Sequence, residues 1–319
     1  MKTIPLRKTG IHLSAVIMGT WQAGKAMWAG IDDDQTERAM AAAVDAGITT
    51  FDTAAVYGDG HSERVLGKAL RHVRKAVVIA TKVFAHSLAY EKVFKACHQS
   101  LRNLQTDYID LYQIHWPAGS FGSRDVPIEE TMRALNALKL QGKIRAVGVS
   151  NFSQAEIEAA EAFGTIDSYQ PPYSLFWRHM EKTAMAYCRE KGIVVMAYSP
   201  MAQGILTGKF GPTPQFEKGD HRARNVLFQP EHYTRIQDAL KALRPIAEEN
   251  GLTLGQLALA WVVSREGTCA IAGARNADQV VQNARAGTVS LPSEVLSEID
   301  RIGRTVTDHL GDDPVMWKW

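Results

Sequence analysis

Short apolar runs alternate along the chain with longer segments in which apolar residues recur every three or four positions. The runs, such as Ile193-Val194-Val195-Met196-Ala197, are typical of β-strands buried on both faces, and the longer segments are typical of amphipathic helices. Strands are expected from Ala15 to Thr20 and at 48–53, 76–81, 108–114, 144–149, 166–170, 193–198 and 268–272. Helices are expected at 34–46, 62–72, 91–104, 128–140, 154–163, 180–191, 235–249 and 253–264.

This alternation of strands and helices predicts a parallel α/β fold. The length of 319 residues fits a (β/α)8 barrel, the TIM barrel, as a single domain over residues 1–319. Before the barrel, a turn at Thr9-Gly10 predicts an N-terminal β-hairpin. After the seventh strand, residues 204–230 are rich in Gly, Pro, Lys and Arg and predict a long loop that covers the ligand, in the manner of a lid.

A doubly wound dinucleotide-binding sheet is the alternative fold. It requires Gly-x-Gly-x-x-Gly after an early strand, and the nearest segment, residues 58–63, lacks the third glycine. The segment from Gly204 to Lys209 resembles a phosphate-binding P-loop, but it has three residues between its glycines instead of four and continues with Phe210. The sequence therefore favours the barrel.

Composition and charge narrow the classes of partner. Hydrophobic residues make up 45% of the chain, and 36 Lys and Arg nearly balance 34 Asp and Glu, so neither a nucleic-acid nor a membrane partner is expected. Cys97, Cys188 and Cys269 form no Cys-x-x-Cys motif, and no apolar run is long enough for a bilayer or a secretion signal, which predicts a cytoplasmic protein. Without His-Glu-x-x-His or clustered Cys and His, no metal site is predicted.

Four polar residues lie at or just past the carboxyl ends of predicted strands. Asp52 and Tyr57 come at the end of the second strand, Lys82 after the third and His115 after the fourth. Each residue alone is more often a turn or packing residue. In a TIM barrel, however, the carboxyl ends of the strands meet on the face that carries the active site. An acid, a phenol, a lysine and an imidazole on that face predict a proton-transfer site.

The motifs around these residues resemble those of the aldo-keto reductase family. The resemblance covers nearly the whole chain, and in the segment from Ser199 to Lys209 it extends to a bacterial branch with general-stress and inositol-linked reductases. The motifs that carry it are Gly19-Thr20-Trp21, Phe51-Asp52-Thr53-Ala54 with Tyr57-Gly58, Thr81-Lys82, Gln113-Ile114-His115, Gly148-Val149-Ser150-Asn151-Phe152, Tyr198-Ser199-Pro200, Gly273-Ala274-Arg275, and Gln279 through Asn283.

The resemblance implies reversible hydride transfer between a nicotinamide and a small carbonyl or alcohol, with Tyr57 as the general acid. It implies that Lys82 lowers the pKa of Tyr57, that Asp52 holds Lys82, and that His115 orients the carbonyl oxygen. The implied cofactor is NADPH, with NADH less favoured, because Arg275 suits the 2′-phosphate. The implied cofactor contacts are Gly19, Thr20, Trp21, Ser150, Asn151, Gln170, Tyr198, Ser199, Met201, Gln203, Leu206, Lys209, Gly273, Arg275, Gln279, Gln282 and Asn283.

The choice between NADPH and NADH, the substrate and the oligomeric state are left open by the sequence. Some family members carry lysine where this chain has Gly273 and arginine where it has Gln279, so use of NADH stays open. An apolar aldehyde pocket walled by tryptophans is expected, and the oligomeric state is open. The candidate walls are Trp21, Trp28 and Trp116, and the tail residues Trp317 and Trp319 either cap the site or pack elsewhere.

Two other functions share this barrel. Potassium-channel β-subunits, which the fold also resembles, are cofactor-sensing binding partners, and an intact tetrad does not separate them from reductases. An isomerase or aldolase with a Schiff base on Lys82 would leave Arg275 and Ser150-Asn151 unexplained.

Overall fold

Eight parallel strands close into a barrel in the computed structural model, which describes residues 1–25, 28, 30–217 and 220–311. Neighbouring strands in the chain pair in parallel, and the last strand pairs with the first through Ala270 with Val16 to Gly273 with Gly19. The predicted TIM barrel is therefore confirmed. The barrel strands are β3 (Val16–Gly19), β4 (Thr50–Asp52), β5 (Val78–Val83), β6 (Ile109–Ile114), β7 (Ile144–Ser150), β8 (Ser168–Gln170), β9 (Val194–Tyr198) and β10 (Thr268–Gly273).

The predicted N-terminal hairpin is confirmed as two antiparallel strands, β1 (Thr3–Pro5) and β2 (His12–Ser14). Leu6 and Leu13 of this hairpin are fully buried and belong to the same apolar cluster as Ile17 and Leu111, from the interior of the barrel. Since β2 leads directly into the amino end of β3, the hairpin closes the end of the barrel opposite the carboxyl ends of the strands. That leaves the carboxyl face for the site.

Helices cover the outside of the barrel, and every predicted helix is present with bounds shifted by a few residues. The helices of the described residues are α1 (Asp33–Asp45), α2 (His61–Leu70), α3 (Tyr90–Leu104), α4 (Ile128–Leu140), α5 (Gln154–Glu161), α6 (Ala184–Lys191), α7 (Pro230–Glu249), α8 (Leu254–Val263), α9 (Ala277–Ala286) and α10 (Ser293–Thr307). Side-chain caps fix some of these starts: Ser153 with Glu156 and Thr253 with Gln256 form capping boxes.

Helix α7 begins earlier than predicted because Pro230 is favourable at the first helical position. Helix α10 was not predicted from periodicity, although Ile299, Ile302 and Val306 are spaced to bury one face, which packs against α7.

The long loop after β9 is present where it was predicted. It contains the short 3-10 helices Ala202–Thr207, His221–Arg224 and Val226–Phe228. The rings of Phe210, Phe216 and Phe228 pack together, with centroids 4.7 to 5.8 Å apart. The loop therefore carries a small apolar core of its own.

Within the described part of the chain, no helix has the length and apolar character that a membrane crossing requires. All three cysteines are buried free thiols.

Candidate active site

The four side chains expected to transfer protons come together at the carboxyl face of the barrel. The Lys82 Nζ donates hydrogen bonds to Asp52 Oδ1 at 2.6 Å and to the Thr53 carbonyl at 2.8 Å. The same Nζ lies 5.2 Å from the centroid of the Tyr57 ring, and the Tyr57 and His115 rings meet edge to face with centroids 5.8 Å apart. Strand ends that are far apart in sequence thus supply one compact cluster.

The second carboxylate oxygen of Asp52 is held by two glutamines. Gln113 Nε2 donates to Asp52 Oδ2 at 3.2 Å, and Gln170 Nε2 donates to the same atom at 2.9 Å. Gln113 was missed by sequence reasoning, although it lies on β6 two residues before His115 and so points to the same side as that residue. The carboxylate is therefore fixed in position by three side chains.

A close backbone approach positions Tyr57. A Cβ at Gly24 would lie 2.6 Å from the carbonyl carbon of Tyr57, so only glycine fits between the two loops. Gly58 has a φ of 62° and turns the chain immediately after the tyrosine. Tyr57 is thereby locked against the loop that follows β3.

The pKa of Tyr57 moves in the direction opposite to the sequence expectation. Desolvation by the surrounding side chains, and then the negative charge of Asp52, raise the pKa of the Tyr57 phenol well above its ordinary value. The expected lowering by Lys82 was wrong because this ammonium is paired with Asp52 and lies over the ring. Burial lowers the pKa of Lys82 itself, and Asp52 opposes that shift. At neutral pH the phenol is therefore protonated.

The imidazole of His115 is neutral at neutral pH. Desolvation, and then the charge of Lys82, lower the pKa of His115 well below its ordinary value. Its Nδ1 is buried and has no hydrogen-bond partner in the part of the chain that the structure describes. A neutral imidazole carries its proton on one nitrogen only. Because Nδ1 has no acceptor among these residues, the tautomer protonated on Nε2 is the one that can donate a hydrogen bond to a carbonyl oxygen.

A cleft of about 1100 Å³ runs across the carboxyl face beside this cluster. Asp52, Tyr57 and His115 line it, whereas Lys82 lies behind them. Of the expected cofactor residues, all line the cleft except Leu206, whose side chain is buried in the hydrophobic core. Those in the cleft are Gly19, Thr20, Trp21, Ser150, Asn151, Gln170, Tyr198, Ser199, Met201, Gln203, Lys209, Gly273, Arg275, Gln279, Gln282 and Asn283.

One part of the cleft is a polar corner of hydrogen-bonded side chains next to the cluster of Asp52, Tyr57, Lys82 and His115. Asn151 Nδ2 donates to the His115 carbonyl and to Ser150 Oγ, both at 3.0 Å, and Tyr198 Oη donates to Asn151 Oδ1 at 2.8 Å. Ser150 Oγ in turn donates to the carbonyl of Gln170 at 2.8 Å. These side chains hold each other in place, so the corner is preformed.

Positive charge is concentrated in another part of the cleft. Burial, and then the nearby Arg222 and Arg275, lower the pKa of Lys209. The guanidinium carbons of Arg222 and Arg275 lie 6.0 and 5.5 Å from the centroid of the Trp28 ring. Arg222, which pairs with Asp220, was missed by sequence reasoning; its only signal was the basic composition of residues 204–230. Three cations in one region suit a bound phosphate.

Two further features fit a bound dinucleotide. Gln203 lines the cleft, and both polar atoms of its side chain are buried without a hydrogen-bond partner among the described residues. A Cβ at Gly19 would lie 2.8 Å from Ile271 Cγ2, so a larger residue would disturb the wall of the cleft. Unsatisfied polar groups and close backbone approaches are both features of ligand sites.

Aromatic rings wall the cleft around Tyr57 and His115. The three predicted tryptophans all line it, and the Trp21 ring lies 5.3 Å from Trp28 and 6.4 Å from Tyr57. Phe84 and Phe121 were missed by sequence reasoning, since loop phenylalanines carry no positional signal. The predicted tail residues Trp317 and Trp319 lie outside the described residues.

The structure combines a closed parallel barrel, a cleft large enough for a dinucleotide, and an acid, a phenol, a lysine and an imidazole beside that cleft. This combination defines the class of barrel oxidoreductases that use a nicotinamide. The aldo/keto reductase family model matches residues 15–304. The chain belongs to this family, which confirms the resemblance drawn from its motifs.

Relatives and solved structures match along nearly their whole length. Aldo-keto reductase YhdN of Bacillus subtilis is 35% identical over 98% of this chain and 97% of that protein. The NADH-specific methylglyoxal reductase of Escherichia coli is 35% identical over 91% and 95%. The structure of a glycerol dehydrogenase from Gluconobacter oxydans has a TM-score of 0.89, 34% identity and 99% coverage of both chains.

An aldo-keto reductase from Klebsiella pneumoniae in complex with NADPH has a TM-score of 0.77, with 31% identity and coverage of 100% of this chain and 99% of that one. The chain is thus an NAD(P)H-dependent enzyme of a family whose members differ in their cofactor.

Proposed function

We propose that this protein is an NADPH-dependent carbonyl reductase, which converts aldehydes, ketones or sugar-derived carbonyls to alcohols and can run in reverse. The observation that carries the proposal is the cluster of Tyr57, His115, Lys82 and Asp52 at the wall of the cleft. The proposal includes a single domain over residues 1–319, a cytoplasmic location, and a small molecule as the partner.

When bound, a reduced nicotinamide supplies the hydride that reaches the carbonyl carbon. Tyr57 then donates its proton to the carbonyl oxygen, since its raised pKa keeps the phenol protonated until that oxygen gains negative charge. The neutral His115 holds the oxygen by a hydrogen bond. The positive charge of Lys82 stabilises the resulting phenolate, and Asp52 keeps the lysine in place.

The polar corner is the proposed nicotinamide site. Ser150, Asn151 and Gln170 carry the hydroxyl and amide groups that a carboxamide requires, and the Tyr198 ring offers a flat surface for stacking. The preformed hydrogen bonds among them support this assignment, because a fixed ring position is needed to aim the hydride.

The cationic region is the proposed phosphate site. Lys209 and Arg222 would bind the pyrophosphate, and Arg275 the 2′-phosphate of the adenosine. The Arg275 amide is tied to Gln279 Oε1 at 2.8 Å, which holds this arginine at the start of α9. Arg275 is the reason for preferring NADPH, with NADH as the less favoured cofactor.

A phenol-deletion variant tests the function. Tyr57→Phe should lower NADPH consumption with short aldehydes by about 10²–10⁴-fold while NADPH binding persists, because only the proton donor is lost. Tyr187→Phe is the matched control: its hydroxyl bonds Glu161 at 2.8 Å, and it does not line the cleft.

Unchanged turnover in Tyr57→Phe would contradict the role of Tyr57. Tight NADPH binding by the native protein, without turnover of any carbonyl, would instead favour the cofactor-sensing partner role known from potassium-channel β-subunits.

A further inference from the structure

A fully buried carboxylate lies outside the barrel wall, behind the strand that carries Lys82. Glu63 is on α2, and its side chain has no exposed surface. Its Oε1 accepts a hydrogen bond from Thr81 Oγ1 at 2.7 Å, and its Oε2 accepts one from Asn103 Nδ2 at 2.8 Å. Both donors are neutral, and none of the ion pairs among the described residues includes Glu63. Burying a carboxylate without a contacting counter-charge is costly, so this group calls for a physical reason.

The position of Thr81 relates this carboxylate to Lys82. The two residues are neighbours on β5, and neighbouring side chains of a strand point to opposite faces. Thr81 therefore reaches outward to Glu63, whereas Lys82 points into the barrel and bonds Asp52 at 2.6 Å. The lysine thus has one carboxylate in contact with it and a second one behind its own strand.

Close packing keeps water away from Glu63. A Cβ at Gly67 of α2 would lie 2.4 Å from the Leu104 carbonyl oxygen of α3, so glycine lets the two helix backbones approach each other closely. Thr81 and Lys82 are also fully buried. In a dry region of this kind, charges act on each other more strongly than they do in water.

Lys82 is the cation on which the charge of Glu63 acts. Burial lowers the pKa of Lys82, and the charges of Asp52 and then Glu63 oppose that shift. Glu63 also acts on Cys97 of α3 and Tyr112 of β6, but burial raises the pKa of both groups, so both are neutral at neutral pH.

The other titratable groups near Lys82 and α2 do not supply this attraction. Tyr57 and His115 approach Lys82 from the cleft, and both are neutral at neutral pH. Charged groups on the surface of α2 and its neighbours contact other partners: Lys68 pairs with Glu37, Lys25 and His61 with Asp33, and Arg74 with Asp110.

We propose that Glu63 is a positioning residue for the reaction, which acts through the barrel wall and keeps the Lys82 ammonium charged beside Tyr57. The inference rests on the proposed function, in which that ammonium stabilises the phenolate left when Tyr57 donates its proton. Asp52 holds the ammonium in place, and Glu63 adds the negative charge that keeps it protonated at higher pH. Glu63 does not line the cleft, so it acts without touching cofactor or carbonyl.

The test measures kcat/KM for NADPH-dependent reduction of propanal from pH 7 to 10 in the native protein and in Glu63→Gln, which removes the charge and keeps the size. At pH 7 the two proteins should agree within about threefold, because Asp52 still pairs with Lys82. The native value should stay constant to about pH 10, whereas that of the variant should begin to fall about one pH unit lower or more, since losing a nearby negative charge lowers the pKa of a lysine. The Kd of NADPH at pH 7 should be unchanged.

Two variants serve as controls. Glu63→Asp keeps the negative charge and should retain the native pH profile. Asp167→Asn removes a different buried carboxylate, which accepts a hydrogen bond from the Val147 amide at 2.9 Å and lies just before the amino end of β8, away from the carboxyl face. It should lower stability without moving the fall in kcat/KM.

A double-mutant cycle between positions 63 and 82 tests the electrostatic step without an activity assay. Glu63→Gln should lower the free energy of unfolding in urea more in the native background than in Lys82→Met, which has no ammonium to leave unbalanced. If Glu63→Gln alone does not fold, a folded Glu63→Gln/Lys82→Met variant would demonstrate the same coupling.

A native pH profile in Glu63→Gln, an equal shift in Asp167→Asn, or an equal loss of stability in both backgrounds would overturn the inference and leave carbonyl reduction intact. Absence of turnover with every carbonyl would overturn the proposed function, and the double-mutant cycle would still decide whether Glu63 acts on Lys82.

Discussion

Replacing Asp52 with asparagine should destabilise the protein by about 3–5 kcal/mol, the usual cost of removing one partner from a buried ion pair. The ammonium of Lys82 is fully buried, and its hydrogen bonds go to Asp52 Oδ1 at 2.6 Å and to the Thr53 carbonyl at 2.8 Å. In Asp52→Asn these acceptors are both neutral. The charge then remains in the barrel without its ion-pair partner, and the charge of Glu63 is the remaining attraction on it.

The amide of the new asparagine adds a second conflict. Gln113 Nε2 and Gln170 Nε2 both donate to Asp52 Oδ2, at 3.2 and 2.9 Å. An amide NH₂ at that position would face two other donors, and leaving a buried donor unsatisfied costs about 1–3 kcal/mol unless the glutamines turn over. This conflict places the expected loss toward the upper part of the range.

The loss of stability in Asp52→Asn should depend on pH, and its direction follows from the pKa of Lys82. Burial already lowers the pKa of Lys82, and the attraction of Asp52 opposes that shift, so the pKa falls further in Asp52→Asn. The unfolded chain keeps a lysine near the ordinary value of 10.5 and therefore binds more protons than the folded variant between the two pKa values. Buried cysteines and tyrosines with raised pKa values are common to the native protein and the variant, so the comparison is between the two. Relative to the native protein, the stability of the variant should rise as pH rises through that window, up to the pKa of Lys82 in the native protein.

Urea unfolding from pH 7 to 10 measures both effects. The double variant Asp52→Asn/Lys82→Met is the control: it removes the stranded charge and should recover much of the lost stability and lose the pH dependence. A loss below about 1 kcal/mol, or a loss that is constant with pH, would refute the reasoning by showing that solvent reaches Lys82.

Two predictions concern the reaction itself. In the direction of carbonyl reduction, kcat/KM measured across pH should show no inflection near 6.5, because desolvation lowers the pKa of His115. It should show no fall below about pH 10, because desolvation raises the pKa of Tyr57. A fall centred near pH 8 would contradict the raised pKa of Tyr57. In Arg275→Ala, steady-state KM should rise about 10- to 100-fold for NADPH and far less for NADH, as expected for the loss of a charge-assisted hydrogen bond to a phosphate; equal increases would assign the 2′-phosphate to another residue.

The barrel and the proposed catalytic cluster could be predicted from the sequence because their signals are local. The strands appear as short apolar runs since both of their faces are buried. Asp52 ends β4, Lys82 lies one residue before the end of β5, and His115 follows β6. Parallel strands that close into a barrel bring those ends together, so position along the chain was enough to predict proximity. Helix α10 carried the same kind of local signal in Ile299, Ile302 and Val306.

The electrostatics of the cluster were not readable in this way. The sequence indicated that Lys82 lies near Tyr57, but the sign of the pKa shift depends on which charge is closest to the hydroxyl and on how completely water is excluded. The ammonium is neutralised by Asp52 and lies over the ring, so desolvation decides the outcome. The hydrogen bonds from Gln113 and Gln170 to the Asp52 carboxylate were likewise not predictable, because they join strands that are distant in sequence.

The sequence by itself therefore determined the fold, the family and which residues meet in the proposed proton-transfer cluster, because periodicity and strand-end positions are properties of neighbouring residues. Only the tertiary structure decided that Leu206 is a core residue, that Arg222 joins Lys209 and Arg275, and that Phe121 forms part of the aromatic wall of the cleft. These side chains are carried by loops, whose paths depend on contacts between segments distant in the chain.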